Sequence, residues 1–490
     1  MKQNKILAIF FSIIIVLITT ILYVFPVFQT FYLSFKSYNI SSGILNSPWV
    51  GFENYIRFLS HPSFTSLIIN TIFINALSYL LPCILGVALG LFATKAKNSI
   101  IISLFLLPVF IPQTVYVAFI ILIGGAYITS NGIITALLYA LVTGIHTLFL
   151  TAFVTAFLGY SLKNTSIGNI KGGLIGGFTM LVIGLTNFLT GDIASIIMIQ
   201  NPLNINFTEV LSTYIYDIGM RNMDFSHSSA VFTIKTIIQL PIAIIFGIIL
   251  ATTITKINKT KIHTNNIATN NSSYLIAGIS IIVTLIVTSL LFFINTNSQN
   301  STSILTENFS TYILNSIVYS IIPTILFFIF TFVATYSFAN LNAYLCVMFP
   351  LFILVLNDNL IVNYLNAGSL GVLNTILPAT FSNVINAPLI LILSVILILT
   401  KPSFKNMLPI LILFTAINFS ICWGDFVPSI TYNPSPNSQS VSSIMYQFAM
   451  MPNNNIHSVM AIQLIVPLVV GICAIVIYGL FDKKTKIKEI

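Results

Sequence analysis

Charge is what this sequence has least of. Asp, Glu, Lys and Arg together make up 6% of its 490 residues, whereas a soluble globular domain carries about 25%. That shortage excludes a water-soluble enzyme or binding module, because there are too few charges to solvate a surface. Cysteine is also scarce: Cys83, Cys346, Cys422 and Cys473 each stand alone in an apolar run. With no CxxC spacing, no disulfide and no metal site are expected. The chain holds no phosphate-cradling P-loop, no HExxH and no nucleophile or acid–base constellation. Neither catalytic residues nor cofactors are therefore expected, and any ATP hydrolysis belongs to another polypeptide. Ten-residue alternating strands are missing too, which excludes a membrane β-barrel.

What remains is lipid-soluble. Hydrophobic residues make up 57% of the chain, the mean hydropathy is +1.00, and apolar runs of about 20 residues recur, the length that crosses a bilayer as a helix. The expected fold is an all-α polytopic membrane protein with about twelve spans: 6–32, 67–94, 99–125, 131–159, 172–198, 229–255, 273–294, 315–340, 343–363, 372–399, 407–430 and 459–481. The net charge of +9 does not point to nucleic acid. Fifteen of nineteen Lys/Arg, among them Lys163, Lys171, Lys401 and Lys405, fall in loops and termini on one side. This positive-inside bias sets that side, with both termini, in the cytoplasm of a multi-pass cell-membrane protein. The first apolar run has a basic start but no clear small-residue cleavage site, so it reads as an uncleaved span.

Two stretches organise the rest. Thr186-Asn187-Phe188-Leu189-Thr190-Gly191-Asp192 sits inside one apolar run, and Asn418-Phe419-Ser420-Ile421-Cys422-Trp423-Gly424-Asp425 inside another. A carboxylate at mid-membrane costs about 2.5–3.5 kcal/mol on insertion scales and normally faces a polar interior. Asp192 and Asp425 fit that reading, and equally the outer interface, in contact with water. Asn187, Phe188, Thr190, Asn418, Phe419, Ser420 and Trp423 supply what a sugar path uses, aromatic faces together with amides and hydroxyls. Asn357, Asp358 and Asn359 are candidates for its outer end. A phenylalanine among forty is more often packing. Lone His146 reads as a satisfied core residue, and Gly172, Gly173, Gly176 and Gly177 as a helix-packing face.

The order of features repeats. Asn70-Thr71 opens the second span and Asn315-Ser316 the eighth; His227-Ser228 precedes the sixth and His457-Ser458 the twelfth. The expected organisation is two parallel six-helix units, 1–262 and 273–490, joined by a polar cytoplasmic linker at 263–272. Outside, 37–66 carries Trp49, Phe52, Tyr55, Phe58 and Phe64, suited to a short helix lying at the interface.

Trp49-Val50-Gly51-Phe52-Glu53-Asn54-Tyr55 ahead of Asn70-Thr71, then Leu106-Leu107-Pro108, Asn201-Pro202-Leu203 and Thr213-Tyr214-Ile215-Tyr216-Asp217, resemble the permeases of binding-protein-dependent sugar ABC importers, most closely the oligosaccharide branch. Leu314-Asn315-Ser316, Ala334-Thr335-Tyr336-Ser337-Phe338-Ala339 and Leu370-Gly371-Val372-Leu373-Asn374-Thr375 resemble the partner permease, here fused into the same chain. The resemblance implies an oligosaccharide or similar polar solute, alternating access, an extracytoplasmic solute-binding protein and cytoplasmic ABC ATPase subunits. It also implies a coupling loop with a Glu-Ala-Ala signature after each fourth span. Here those positions, 161–171 and 401–406, hold neither the acid nor the alanine pair. Lys163, Lys171, Lys401 and Lys405 are what they offer an ATPase. An ion-coupled secondary transporter, or a diverged subunit that no longer transports, are the alternatives.

Overall fold

A computed structural model describes residues 2–163, 165, 167–258, 271–294, 309–357, 359–401, 404–450 and 456–487. Among them the protein is helical throughout, with no β-strand beyond an isolated bridge between Lys36 and Trp49. Among the described residues nine helices are long and apolar enough to cross a membrane, and two further helix pairs are so together but bent at a short break. The protein is an all-α, multi-pass membrane protein. Asp358 and linker residues 263–270 lie outside the described residues.

Where the apolar run has no internal polar break, the helix matches the expected span closely. Gly132–Ser161 starts on Asn131, whose side chain accepts the Ile134 amide as an N-cap. Phe225–Ile257 and Phe309–Phe338 run through Pro241 and Pro323, which neighbouring helices make tolerable.

Five of the expected spans are interrupted. The third divides into Ser99–Phe110 and Gln113–Leu122, bent by 54°, and the ninth into Ala343–Leu356 and Leu360–Ser369, bent by 75°. The fifth is a helix over Gly168–Thr186 followed, after a non-helical 187–192, by Ile193–Ile199. The eleventh ends at Gly424 and resumes as Val427–Tyr432. The tenth shrinks most. Pro378 and the Asn386-Ala387-Pro388 start signal divide it into Ile376–Phe381 and a 14-residue helix, Ala387–Thr400. At 1.5 Å per residue that helix is about 21 Å long, short of the roughly 30 Å hydrocarbon core.

The glycine face packs as its spacing predicts. A Cβ on Gly172 or Gly176 would stand 3.0 or 2.9 Å from the carbonyl oxygens of Leu158 and Val154 on helix Gly132–Ser161. One on Gly173 or Gly177 would stand 2.9 or 2.5 Å from Leu91 and Val87 on helix Leu81–Ala93. Gly168–Thr186 is thus wedged between two helices at backbone contact. Outside the bundle, Phe35 and Trp49 stack at 5.3 Å while Trp49 and Phe52 stay mostly exposed, as interfacial anchors do. The short helix Glu53–Leu59 lies in this region.

Gly176→Val should lower the unfolding midpoint in detergent by the equivalent of about 1–3 kcal/mol, the usual overpacking cost. Gly278→Val, where a Cβ meets nothing within 4 Å, is the control and should leave it nearly unchanged. Equal losses in both would remove the close-packing explanation.

Candidate functional site

The interruptions converge on one place. A cavity of about 1040 Å³ is lined by Pro112 and Gln113 at the third-span break and by Asn187, Thr190, Gly191 and Asp192 at the fifth. Asn357 and Asn359 reach it from the ninth, Asn383 and Asn386 from the tenth, and Gly424 and Asp425 from the eleventh. Backbone that leaves helical pairing at membrane depth is tolerated only when buried in protein or lining a polar cavity. Each break therefore needs partners, and side chains from other helices supply them. Ser420 Oγ donates to the Phe110 carbonyl at 2.7 Å, and Thr114 Oγ1 returns the contact to the Gly424 carbonyl at 3.2 Å. His146 Nε2 meets the Ile111 carbonyl. Asn75 Nδ2 donates to the Phe188 carbonyl at 2.7 Å, and the Gly191 amide donates to Ser212 Oγ at 3.0 Å.

Both aspartates begin short helices. Asp192 precedes Ile193–Ile199 and accepts Ser195 Oγ. Asp425 accepts the Val427 amide and Asn383 Nδ2, each at 3.0 Å. A carboxylate at a helix N-terminus is stabilised by the unpaired amides and the helix dipole. A position at a helix start therefore favours each carboxylate, and both residues line the cavity.

The two motifs meet at this site. Asn187, Thr190, Asp192, Asn418, Ser420 and Asp425 all line the cavity. Thr190 also accepts from Gln239 Nε2 at 3.1 Å, and Asn418 Nδ2 contacts Cys422 Sγ at 3.6 Å. Phe188, Phe419 and Trp423 are not on its wall. Phe188 joins an apolar cluster with Leu67 and Leu189, while Phe419 and Trp423, one turn apart, stack at 5.7 Å and are buried. The lining residues that the sequence reading passed over include five asparagines, Asn75, Asn363, Asn366, Asn383 and Asn386. Asn363 and Asn366 join Asn359 on the lining, and the i, i+4, i+7 spacing of the three is one helical face. That stripe was the available signal. Gln29 and Thr30 on the first helix hold Asn366 and Asn359 at 2.7 Å each.

Beyond the cavity two regions share one hydrogen-bond pattern. Asn70 Nδ2 donates to the carbonyls of Asn206 and Glu209 at 2.8 and 3.4 Å, and Asn315 Nδ2 to those of Asn437 and Gln439 at 2.9 and 3.0 Å. Thr71 Oγ1 accepts the Leu211 amide, and Ser316 Oγ the Val441 amide. The Val210 amide donates to Thr213 Oγ1, and the Ser440 amide to Ser443 Oγ.

No protein-family model matches the chain. It is similar to Protein LplB of Bacillus subtilis (strain 168), 22% identical over 253 residues, which cover 44% of this chain and 79% of that protein. Among solved structures it is similar to a chain of a bacterial ABC transporter involved in the import of the acidic polysaccharide alginate. That match has a TM-score of 0.40 at 16% identity and covers 48% of this chain and 91% of the other. The bacterial alginate ABC transporter in complex with an alginate pentasaccharide-bound periplasmic protein matches with a TM-score of 0.36 at 17% identity, over 43% of this chain and 85% of the other. This chain resembles an ABC-importer permease.

The two loops expected from the sequence to meet an ATPase are short. Between helices Gly132–Ser161 and Gly168–Thr186 the described residues are Leu162, Lys163, Thr165 and Ile167, with the Lys163 amide donating to the Tyr160 carbonyl and the Gly168 amide to the Thr165 carbonyl. Lys163 lies over the Tyr160 ring at 4.2 Å, and Lys171 is exposed. The second connection is Lys401 and two residues outside the described set, with Lys401 exposed at φ 43°. Lys405 begins the next helix, its side chain outside the described residues.

On the segment 201–228, between two membrane-crossing helices, burial pushes the Glu209 carboxyl up to about 7, aided by the nearby Asp217 carboxylate. A raised acid keeps its proton in the folded state, so its contribution to stability is present below the ordinary glutamate range and lost as pH rises through 7. The wild-type unfolding midpoint should fall between about pH 5 and 7, and Glu209→Gln should flatten that fall. A profile unchanged by the substitution would remove Glu209 as its source.

Proposed function

We propose that the chain is the membrane-spanning permease of an ABC importer, with two permease units, 1–262 and 273–490, fused through the linker 263–272. It moves an oligosaccharide or similar polar solute by alternating access between those units, through the path formed by Asn187, Thr190, Asp192, Asn418, Ser420 and Asp425. An extracytoplasmic binding protein delivers the solute, and separate cytoplasmic ATPase subunits drive the cycle at the inner turns, where both termini also lie.

The observation that carries this reading is the cavity of about 1040 Å³ in which nine asparagines interrupt a largely apolar wall, with residues of both motifs among the lining. Amides offer a donor and an acceptor each, which suits a solute with a ring of hydroxyls. The two-unit organisation draws on the matched hydrogen bonds at Asn70-Thr71 and Asn315-Ser316. It draws also on length, since a relative matched over 79% of itself spans only 44% of this chain.

A second reading has one observation in its favour. Only six residues separate helix Gly132–Ser161 from helix Gly168–Thr186, which leaves little for an ATPase cleft to hold, and Asp192 and Asp425 stand on the cavity wall. Those features suit an ion-coupled secondary transporter.

Purified with its cytoplasmic partners and placed in proteoliposomes, the chain should take up a labelled oligosaccharide only when ATP is supplied. Asn187→Ala and Asn418→Ala should each slow uptake at least tenfold with normal membrane insertion. Uptake driven by a proton gradient without any ATPase would favour the second reading. Full uptake by both variants would remove the proposed path.

A further inference from the structure

The described wall of the cavity has a marked chemical bias. Nine asparagines line it, with Asp192 and Asp425 as its acids and no lysine or arginine among its described residues. His146 is the one base there, and its Nε2 is at the Ile111 carbonyl. Lys235 is buried but lines a separate small void, which shares only Ile193 and Leu360 with the cavity wall. One wall amide stands ready for a ligand. Asn359 is 6% exposed, its Oδ1 accepts from Thr30, and its Nδ2 has no acceptor among the described residues.

Resting on the permease reading above, we propose that this cavity selects by charge, admitting neutral or amine-bearing oligosaccharides and rejecting carboxylated ones. A hydroxyl-rich neutral chain finds in the asparagines both the donors and the acceptors it leaves behind in water. An amine adds attraction to the two aspartates. A uronate must shed its hydration with no cation on the wall to replace it, and two carboxylates repel it across a medium less polar than water. The unpaired Asn359 amide gives a neutral hydroxyl or carbonyl oxygen one defined acceptor position.

The test is equilibrium binding to the full chain in lipid nanodiscs, using three probes of equal length: maltotetraose, the fully deacetylated chitosan tetramer and tetragalacturonate. The neutral and amine probes should bind, and the uronate should bind at least tenfold more weakly. Asp192→Asn with Asp425→Asn, which removes both charges while keeping side-chain size and an acceptor oxygen at each position, should shrink that gap severalfold. Uronate binding as tight as maltotetraose would overturn the charge selection while leaving the permease reading in place. A gap unaltered in the double variant would overturn the role given to the aspartates. Should none of the three bind, the polyol reading itself falls, and this inference with it.

Discussion

An unpaired backbone carbonyl inside a membrane has no water to turn to, and the architecture follows from that constraint. The breaks in the third, eleventh and fifth spans are each met by a side chain from somewhere else: Ser420 at Phe110, Thr114 at Gly424, Asn75 at Phe188. The first two are reciprocal, so the third-span and eleventh-span breaks stabilise one another. A Cβ on Gly424 would lie 2.5 Å from Pro112 Cβ, which leaves the two breaks at backbone contact. Concentrating the breaks in one region makes that region polar by necessity. The cavity is where those polar groups have surface to spare.

The same economy of partners recurs outside it. Asn70 and Asn315 each fasten a distant segment by two carbonyls, and the hydroxyls beside them take one amide each. Equal solutions at two distant points of one chain suit two units built alike. The likeness does not extend to helix length. Helix Gly132–Ser161 has 30 residues, whereas Ala387–Thr400 has 14.

Hydropathy made the membrane body legible, because an apolar run of span length has few other fates in water. It was blind to interruption, since a window of about 19 residues averages over Gly191-Asp192 or Asn386-Ala387-Pro388. The latter was readable as a helix start, an asparagine cap followed by an early proline, but it lay within an apolar stretch. Of the candidate path, the small polar side chains reached the cavity and the rings did not. Phe419 and Trp423 fall one turn apart and pair with each other, on a side of the helix that periodicity in so apolar a segment does not distinguish. The stripe Asn359, Asn363, Asn366 was visible in the sequence and carried the stronger argument. An amide in lipid is costly without a partner, whereas a phenylalanine there needs no explanation.

The central claim is that Asn187 and Asn418, more than two hundred residues apart, open on one water-filled space. With the four native cysteines replaced, Asn187→Cys and Asn418→Cys should each react with a water-soluble maleimide in intact membranes. A bulky adduct at either should slow labelling of the other when both are present. Two inert thiols, or two that react with no mutual effect, would contradict the shared cavity.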